Sequence, residues 1–308
     1  MPIRIAIVGY GKIAKDQHVP SIAADPRFEL VAVAGPRVRQ EGELPVYASH
    51  QALIADLAGR LDAVAVCTPP GIRHAIARDV LAAGLHCLLE KPPTATLGEI
   101  EDLERLAAAA GRSLFTAWHS QHNPAVAAAR AALAGQSISE LRIQWFEDVR
   151  KWHPGQEWIW RPGGFGVFDP GINALSIATR ILPMPLFVRE AKLLFPANRQ
   201  TPIAASLDFV GDAGAFAAEM DWRYTEGERW TIDVRTAGGR SLQLLDGGSR
   251  LLVDGKPRAG VGRGEYPSIY ERFATLVESG ESEVDREPLR VVADAFLVGA
   301  REEVEPFD

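Results

Sequence analysis

The chain carries only two cysteines, Cys67 and Cys87, among 308 residues. Both fall in apolar, strand-like runs without metal-type spacing, so the expectation is two reduced core thiols rather than a disulfide framework or a cysteine zinc site. No apolar run approaches the roughly eighteen residues that a membrane span requires. Positive charge is in deficit: 33 Lys and Arg against 40 Asp and Glu leave a net charge of −7, which gives no support to a nucleic-acid partner. Internal repeats and low-complexity tracts are missing as well. The first apolar strand begins at residue 2 or 3, which leaves no room for a signal peptide, and the expected location is cytoplasmic. Hydrophobic residues make up 47% of a chain longer than one ordinary domain, ample for two packed cores.

The most informative stretch is an apolar run from Pro2 to Val8 ending in Gly9-Tyr10-Gly11-Lys12-Ile13-Ala14. This reads as a strand, a glycine turn and a helix. Gly9 permits the tight turn, Gly11 lets the backbone approach a pyrophosphate, and small Ala14 lets the helix pack closely on the strand. A second strand, Phe28–Ala34, arrives at the distance a βαβ unit needs. The implied ligand is a dinucleotide. Its adenosine end would be read after that strand, where a carboxylate selects the ribose 2′-hydroxyl of NAD and repels a 2′-phosphate. Gly35 stands there instead, with Arg37 two residues on, so NADP is favoured over NAD; a solvated surface arginine is the competing reading of Arg37.

Up to about residue 118, short β-branched runs alternate with Ala/Leu-rich stretches, the pattern of a parallel sheet wrapped by helices. Strands are expected at Ile3–Val8, Phe28–Ala34, Ala63–Cys67, His86–Glu90 and Ser113–Ala117. Helices are expected at Lys12–Ala24, His50–Leu57, Gly71–Ala83 and Leu97–Ala110, the last with Thr96 as N-cap and Gly111 as its stop. After Trp118, one helix at Ala125–Ala134 precedes half-buried strands at Glu140–Phe146, Val188–Phe195, Ala204–Phe209, Ala213–Trp222, Trp230–Thr236, Ser241–Leu245 and Leu251–Val253. A helix at Gly171–Leu182 interrupts this series, and helices at Ser268–Val277 and Leu289–Arg301 close it. The expected fold class is α/β: a doubly wound parallel sheet at residues 1–119, then an α+β domain at 120–308 with an open, mostly antiparallel sheet. A homo-oligomer could assemble through that second sheet.

Two further segments carry chemistry. Lys91 follows the apolar strand run Cys87-Leu88-Leu89 and Glu90, in Leu88-Leu89-Glu90-Lys91-Pro92-Pro93, at the carboxyl edge of a parallel sheet where ligands bind. Position alone leaves it open between a ligand-facing group and a lysine snorkelling off a strand end. In Trp160-Arg161-Pro162-Gly163-Gly164-Phe165-Gly166-Val167-Phe168-Asp169-Pro170-Gly171-Ile172-Asn173, the glycines make a loop able to lie against a ligand. Asp169 and Asn173 share a face if the first helical turn already includes them, whereas Asp before a helix is ordinarily an N-cap.

Together these segments, with Cys67-Thr68-Pro69-Pro70 and the following His74, resemble the glucose–fructose oxidoreductase and inositol dehydrogenase family over nearly the whole chain. Glu90-Lys91-Pro92 is the specific part. The resemblance implies cofactor contacts from Gly9, Gly11, Lys12, Ile13, Arg37, Thr68, Pro69, His74, Glu90 and Lys91. It also implies a lysine and an aspartate, here Lys91 and Asp169, flanking the carbon that exchanges a hydride with the nicotinamide. Many members place a histidine four residues after the aspartate; here Asn173 stands, which cannot accept a proton. An anomeric hydroxyl is more acidic than an ordinary ring alcohol and demands less of its base, so Asn173 favours an aldose oxidised at C1. The resemblance thus implies an aldose 1-dehydrogenase acting on L-arabinose or D-galactose, with Lys91, Asp169 and Asn173 catalytic. His119, Glu147, His153 and Arg161 are the candidate partners of sugar hydroxyls, each weighed against a satisfied structural role. His119 and His122 form an H-x-x-H pair without cysteine ligands nearby, so no metal is expected. Oxidation of an inositol or dihydrodiol, or a non-catalytic nucleotide-sensing regulator, are the alternatives; retention of Lys91 and Asp169 counts against the regulator.

Overall fold

A computed structural model describes residues 1–40, 43–211, 214–260 and 262–308. The chain folds as two compact units, Met1–Trp118 with Tyr266–Arg286, and His119–Glu265 with Glu287–Asp308. Compared with a single cut near residue 119, the difference lies in Tyr266–Arg286, which returns to the first unit.

The first unit is built on six parallel strands: β1 (Ile3–Val8), β2 (Phe28–Ala34), β3 (Val46–Tyr47), β4 (Ala63–Val66), β5 (His86–Glu90) and β6 (Leu114–Ala117). Their order across the sheet is β3-β2-β1-β4-β5-β6, the doubly wound arrangement whose direction of winding reverses between β1 and β4. Strands β4 and β5 are buried throughout, as the unbroken Ala/Val run of β4 and the Cys-Leu-Leu centre of β5 require of a sheet covered on both faces. The helix Leu97–Ala110 has the expected boundaries, with a reciprocal Thr96–Glu99 capping box and Gly111 at φ +60°. The expected first helix is interrupted: Ala14–His18 form a π-helical turn before the α-helix Val19–Ala24. The returning helix Glu265–Ser279 lays Tyr266, Ile269, Tyr270, Phe273 and Leu276 into the core that contains Ile5, Ile7, Leu88 and Phe115.

The second unit holds nine strands: β7 (Ile138–Phe146), β8 (Val188–Pro196), β9 (Ala204–Phe209), β10 (Phe216–Asp221), β11 (Arg229–Thr236), β12 (Ser241–Leu245), β13 (Arg250–Val253), β14 (Lys256–Arg258) and β15 (Gly299–Val304). They form one sheet in the order β14-β13-β12-β11-β7-β10-β9-β8-β15. Among the described residues its pairs are antiparallel except β7–β10 and β8–β15. Of the strand expected at Ala213–Trp222, Ala213 lies outside the described residues. The helix Phe168–Ile181 buries Phe168, Ile172, Leu175 and Ala178 in this unit.

The helix expected to run to Arg301 ends at Val298, and Gly299–Val304 pairs with β8 instead. A Cβ on Gly299 would lie 2.4 Å from the Ala295 carbonyl oxygen, so the chain leaves the helix where only glycine fits. Residues 300–303 are exposed on this edge strand, so it lacks the apolar alternation that reveals a half-buried strand. No helix among the described residues is long and apolar enough to cross a membrane.

Candidate active site

In the first unit the glycine turn lies at the carboxyl end of β1, beside the winding reversal. Gly9 has φ +93°, and a Cβ there would lie 2.7 Å from both the Cys67 carbonyl carbon and the Thr68 nitrogen. The fold itself therefore demands glycine at this position. Gly11 is different: a Cβ there would meet nothing within 4 Å. Its lack of a side chain answers no packing need in the protein, which fits room kept for a pyrophosphate at the helix start. Ala14 is fully buried, the close packing that its size allows. Lys12 is exposed and ion-paired with Asp16, and Ile13 is exposed.

The buried hydroxyl of Thr68 has no hydrogen-bond partner among the described residues. Left dry and unpaired, a hydroxyl costs roughly 1–3 kcal/mol, so a polar ligand atom at this strand end would satisfy it. Gly35 and Arg37 lie just past β2; Arg37 is exposed and forms no ion pair among the described residues. These features accommodate a dinucleotide, with Gly9, Gly11 and Thr68 placed to hold it. His74 is differently engaged. Its Nε2 lies 2.9 Å from Asp102 Oδ2, tying Pro70–Ala82 to Leu97–Ala110. His74, then Arg78, hold the Asp102 carboxyl below its ordinary pKa.

Lys91 is half-buried at the end of β5, preceding a cis peptide bond to Pro92. Its backbone N–H donates to Glu90 Oε2 at 2.9 Å. Glu90 Oε1 receives the Tyr266 hydroxyl at 2.7 Å and sits 2.9 Å from His18 Nε2, while His18 Nδ1 lies 2.7 Å from the Tyr270 hydroxyl. Buried Arg73 donates to the carbonyl oxygens of Glu90, Pro92 and Thr68. Burial disfavours a charged His18 ring, but Cys67, Tyr270 and Glu90 outweigh it and hold His18 well above its ordinary pKa. Burial also pushes Tyr270 up to about 12. Both Glu90 oxygens thus have partners inside the protein, whereas the family resemblance implies a cofactor contact there.

In the second unit, Asp169 is not an N-cap. The helix begins at Phe168 after Val167, which makes no side-chain cap, so Asp169 already lies in the first turn and its N–H donates to the Gly166 carbonyl at 2.8 Å. The helix thus starts ahead of the expected Gly171, with Pro170 inside its first turn, where proline is well tolerated. Asp169 is 3% exposed, and its Oδ2 lies 3.6 Å from His153 Nε2. Asn173 follows one turn later, half-buried, with no side-chain hydrogen bond among the described residues. The glycine loop before them packs on itself: a Cβ on Gly164 would lie 2.2 Å from the Trp158 carbonyl oxygen.

The remaining candidates divide. Glu147 is buried, with Oε1 receiving the Trp222 indole at 3.2 Å and Oε2 the Trp230 indole at 3.0 Å, so it orients tryptophans. His119 Nδ1 lies 3.1 Å from Glu265 Oε1. Arg161 is exposed and without an ion pair among the described residues. No group of three or more His, Cys, Asp or Glu side chains is gathered as a metal site among the described residues.

Residues 3–117 match the oxidoreductase family with an NAD-binding Rossmann fold. The chain is 48% identical over 311 aligned positions to a galactose 1-dehydrogenase of Pseudomonas fluorescens, covering 99% of each. The chain belongs to this family. The crystal structure of a D-galactose-1-dehydrogenase from Rhizobium etli superposes with a TM-score of 0.93 at 50% identity, over 100% of this chain and 98% of that one. A 3-ketoreductase from Actinomadura kijaniata, solved with NADP and TDP-benzene, shares the fold at a TM-score of 0.84 and 19% identity, over 99% of this chain and 100% of that one.

Sequence reasoning missed His18, Arg73, Tyr266 and Tyr270. His18 left a signal: with Ala14 and Ile22 it falls at four-residue spacing on the inward stripe of the first helix, a polar ring among apolar neighbours. The tyrosines left none near Glu90, because they lie 176 and 180 positions further along the chain.

Proposed function

We propose that the chain oxidises an aldose at C1 with NAD(P), giving a sugar lactone that water later opens to the aldonic acid. The observation that carries this reading is the 48% identity with a galactose 1-dehydrogenase, which runs through both units rather than stopping at the nucleotide-binding half. D-Galactose is the first substrate to test. L-Arabinose is the second, since its pyranose ring has the galactose configuration without the hydroxymethyl group. Lys91 Nζ takes the O1 proton as the C1–H bond breaks. Asp169 orients the sugar, and Asn173 hydrogen-bonds a neighbouring hydroxyl. The nicotinamide supplies the hydride acceptor when bound. NADP is the preferred dinucleotide, supported by Gly35 where an NAD enzyme carries an acid and by Arg37 beside it.

Purified protein incubated with galactose, arabinose, glucose and inositol, with either dinucleotide, should raise the reduced-nicotinamide absorbance fastest with galactose or arabinose. Lys91→Met should lower kcat by roughly 10²–10⁴, the usual contribution of a positioned acid or base, with the dinucleotide Kd unchanged. A folded Lys91→Met protein with wild-type turnover would remove Lys91 from the chemistry.

A further inference from the structure

The buried cluster behind Lys91 has no part in the chemistry above, yet it is assembled from three distant stretches of the first unit. His18 ends the π-helical turn that follows the dinucleotide turn, Glu90 ends β5, and Tyr266 and Tyr270 come from Glu265–Ser279. All four side chains are buried, at 0% to 3% exposure. A buried carboxylate is costly unless donors surround it. Glu90 has the Tyr266 hydroxyl and the His18 ring on one oxygen and the Lys91 backbone N–H on the other. Across the same peptide, Arg73 holds the carbonyl oxygens of Glu90 and Pro92. The Lys91 backbone is thereby gripped at its own N–H and at the carbonyls on either side, which fixes the direction in which its side chain leaves the strand.

We propose that Glu90, held by His18 and Tyr266, is the positioning residue for Lys91, aligning its amine through the backbone rather than by touching substrate or cofactor. The proposal rests on Lys91 as proton acceptor. The geometry also ties two parts of the reaction together: His18 lies in the helix that opens at the dinucleotide turn, so the element that receives the pyrophosphate also braces the lysine strand. π-Helical turns recur at functional sites because the extra residue redirects a side chain that α-helical spacing would aim elsewhere.

Glu90→Ala removes the acceptor for the Lys91 N–H and should lower kcat by roughly 10- to 100-fold, the scale of a displaced catalytic group. Sugar KM and dinucleotide Kd should stay within about twofold. Glu90→Gln should recover part of the loss, because its carbonyl can face the Lys91 N–H while its amide donates to the Tyr266 hydroxyl, which can accept. Tyr266→Phe keeps the ring and removes one donor, so it should lose a few-fold in kcat; if Glu90→Ala does not fold, this variant decides. Wild-type kcat in folded Glu90→Ala or Tyr266→Phe overturns the proposal. So does a loss confined to dinucleotide binding, or a Gln variant no better than Ala. A readout independent of turnover is the rate at which an amine reagent labels Lys91, followed by peptide mass spectrometry across pH 7–10. An unchanged labelling profile in Glu90→Ala overturns the positioning role even if no aldose proves to be oxidised, whereas failure of the wild type to oxidise any aldose overturns only the dehydrogenase reading.

Discussion

Two glycines two positions apart make opposite demands, and replacing each by alanine separates folding from ligand binding. Gly9 has φ +93°, and its Cβ would sit 2.7 Å from backbone atoms of Cys67 and Thr68, which cannot swing away as a side-chain end can. The backbone conformation alone costs about 1–2 kcal/mol for an L-residue. Parting β1 from the end of β4 disturbs the bond from the Cys67 N–H to the Val8 carbonyl, 2.7 Å long, for about another 1 kcal/mol. Gly9→Ala should therefore destabilise the ligand-free protein by about 2–3 kcal/mol and lower its thermal midpoint by on the order of 10 °C. Gly11 has neither the positive φ nor a neighbour within 4 Å. Gly11→Ala should leave the ligand-free midpoint unchanged or raise it slightly, since alanine narrows the unfolded ensemble by up to about 1 kcal/mol. It should still weaken the dinucleotide about 10- to 100-fold, or 1.4–2.7 kcal/mol, because the methyl group enters the pyrophosphate space. Thermal scans without ligand, paired with calorimetric titration of NADP and NAD, read both effects. Undiminished binding in Gly11→Ala would refute the assignment of that space, and wild-type stability in Gly9→Ala would refute the packing argument.

Arg37→Ala should weaken NADP by roughly ten- to a hundredfold, the worth of a charged phosphate contact, and leave NAD nearly untouched; equal losses would return Arg37 to the solvated surface. Gly35→Asp should move preference towards NAD, its Cβ displacing only the Val38 methyl 2.9 Å away, and titration of both dinucleotides checks it. Burial, then Arg112, lowers the pKa of His86, whose Nδ1 accepts the Ser113 N–H at 3.0 Å and must stay unprotonated to do so. A base with a depressed folded pKa gives stability that is present above the unfolded value, near 6.5, and lost as pH falls through the folded one. His18, raised in the folded state, contributes the opposite slope, losing stability as pH rises above 6.5. Urea midpoints at pH 7.5 and 5.0 should thus show a smaller acid loss in His86→Asn than in the wild type, and equal losses would contradict the sign.

The glycine turn was legible because its causes are local: a tight turn, a close approach and a helix start fall within six consecutive residues, Gly9 to Ala14. The same holds for the Thr96 cap and the half-buried strands, whose alternation records one wet and one dry face. The interior strand Ala63–Val66 is legible for a related reason, as an unbroken apolar run belongs to a sheet covered on both sides. The edge strand Gly299–Val304 escaped notice because its exposed middle, residues 300–303, has no dry face to record.

Tertiary structure alone decided which partner each polar or amphipathic surface met. The stripe Tyr266, Ile269, Tyr270, Phe273 announces a buried face, yet nothing in its periodicity says that the face returns to the first sheet. Asp169 could be a cap or a first-turn residue until the helix start at Phe168 settled it. Glu147 looks like a site carboxylate until two indoles occupy it, and Glu90 until His18 and Tyr266 do. The sequence determined where the chain turns, caps and buries apolar surface, because those preferences act over a few residues. Hydrogen bonds between groups seventy or more residues apart have no local energy to write into the sequence; they exist only once packing brings the partners to 3 Å.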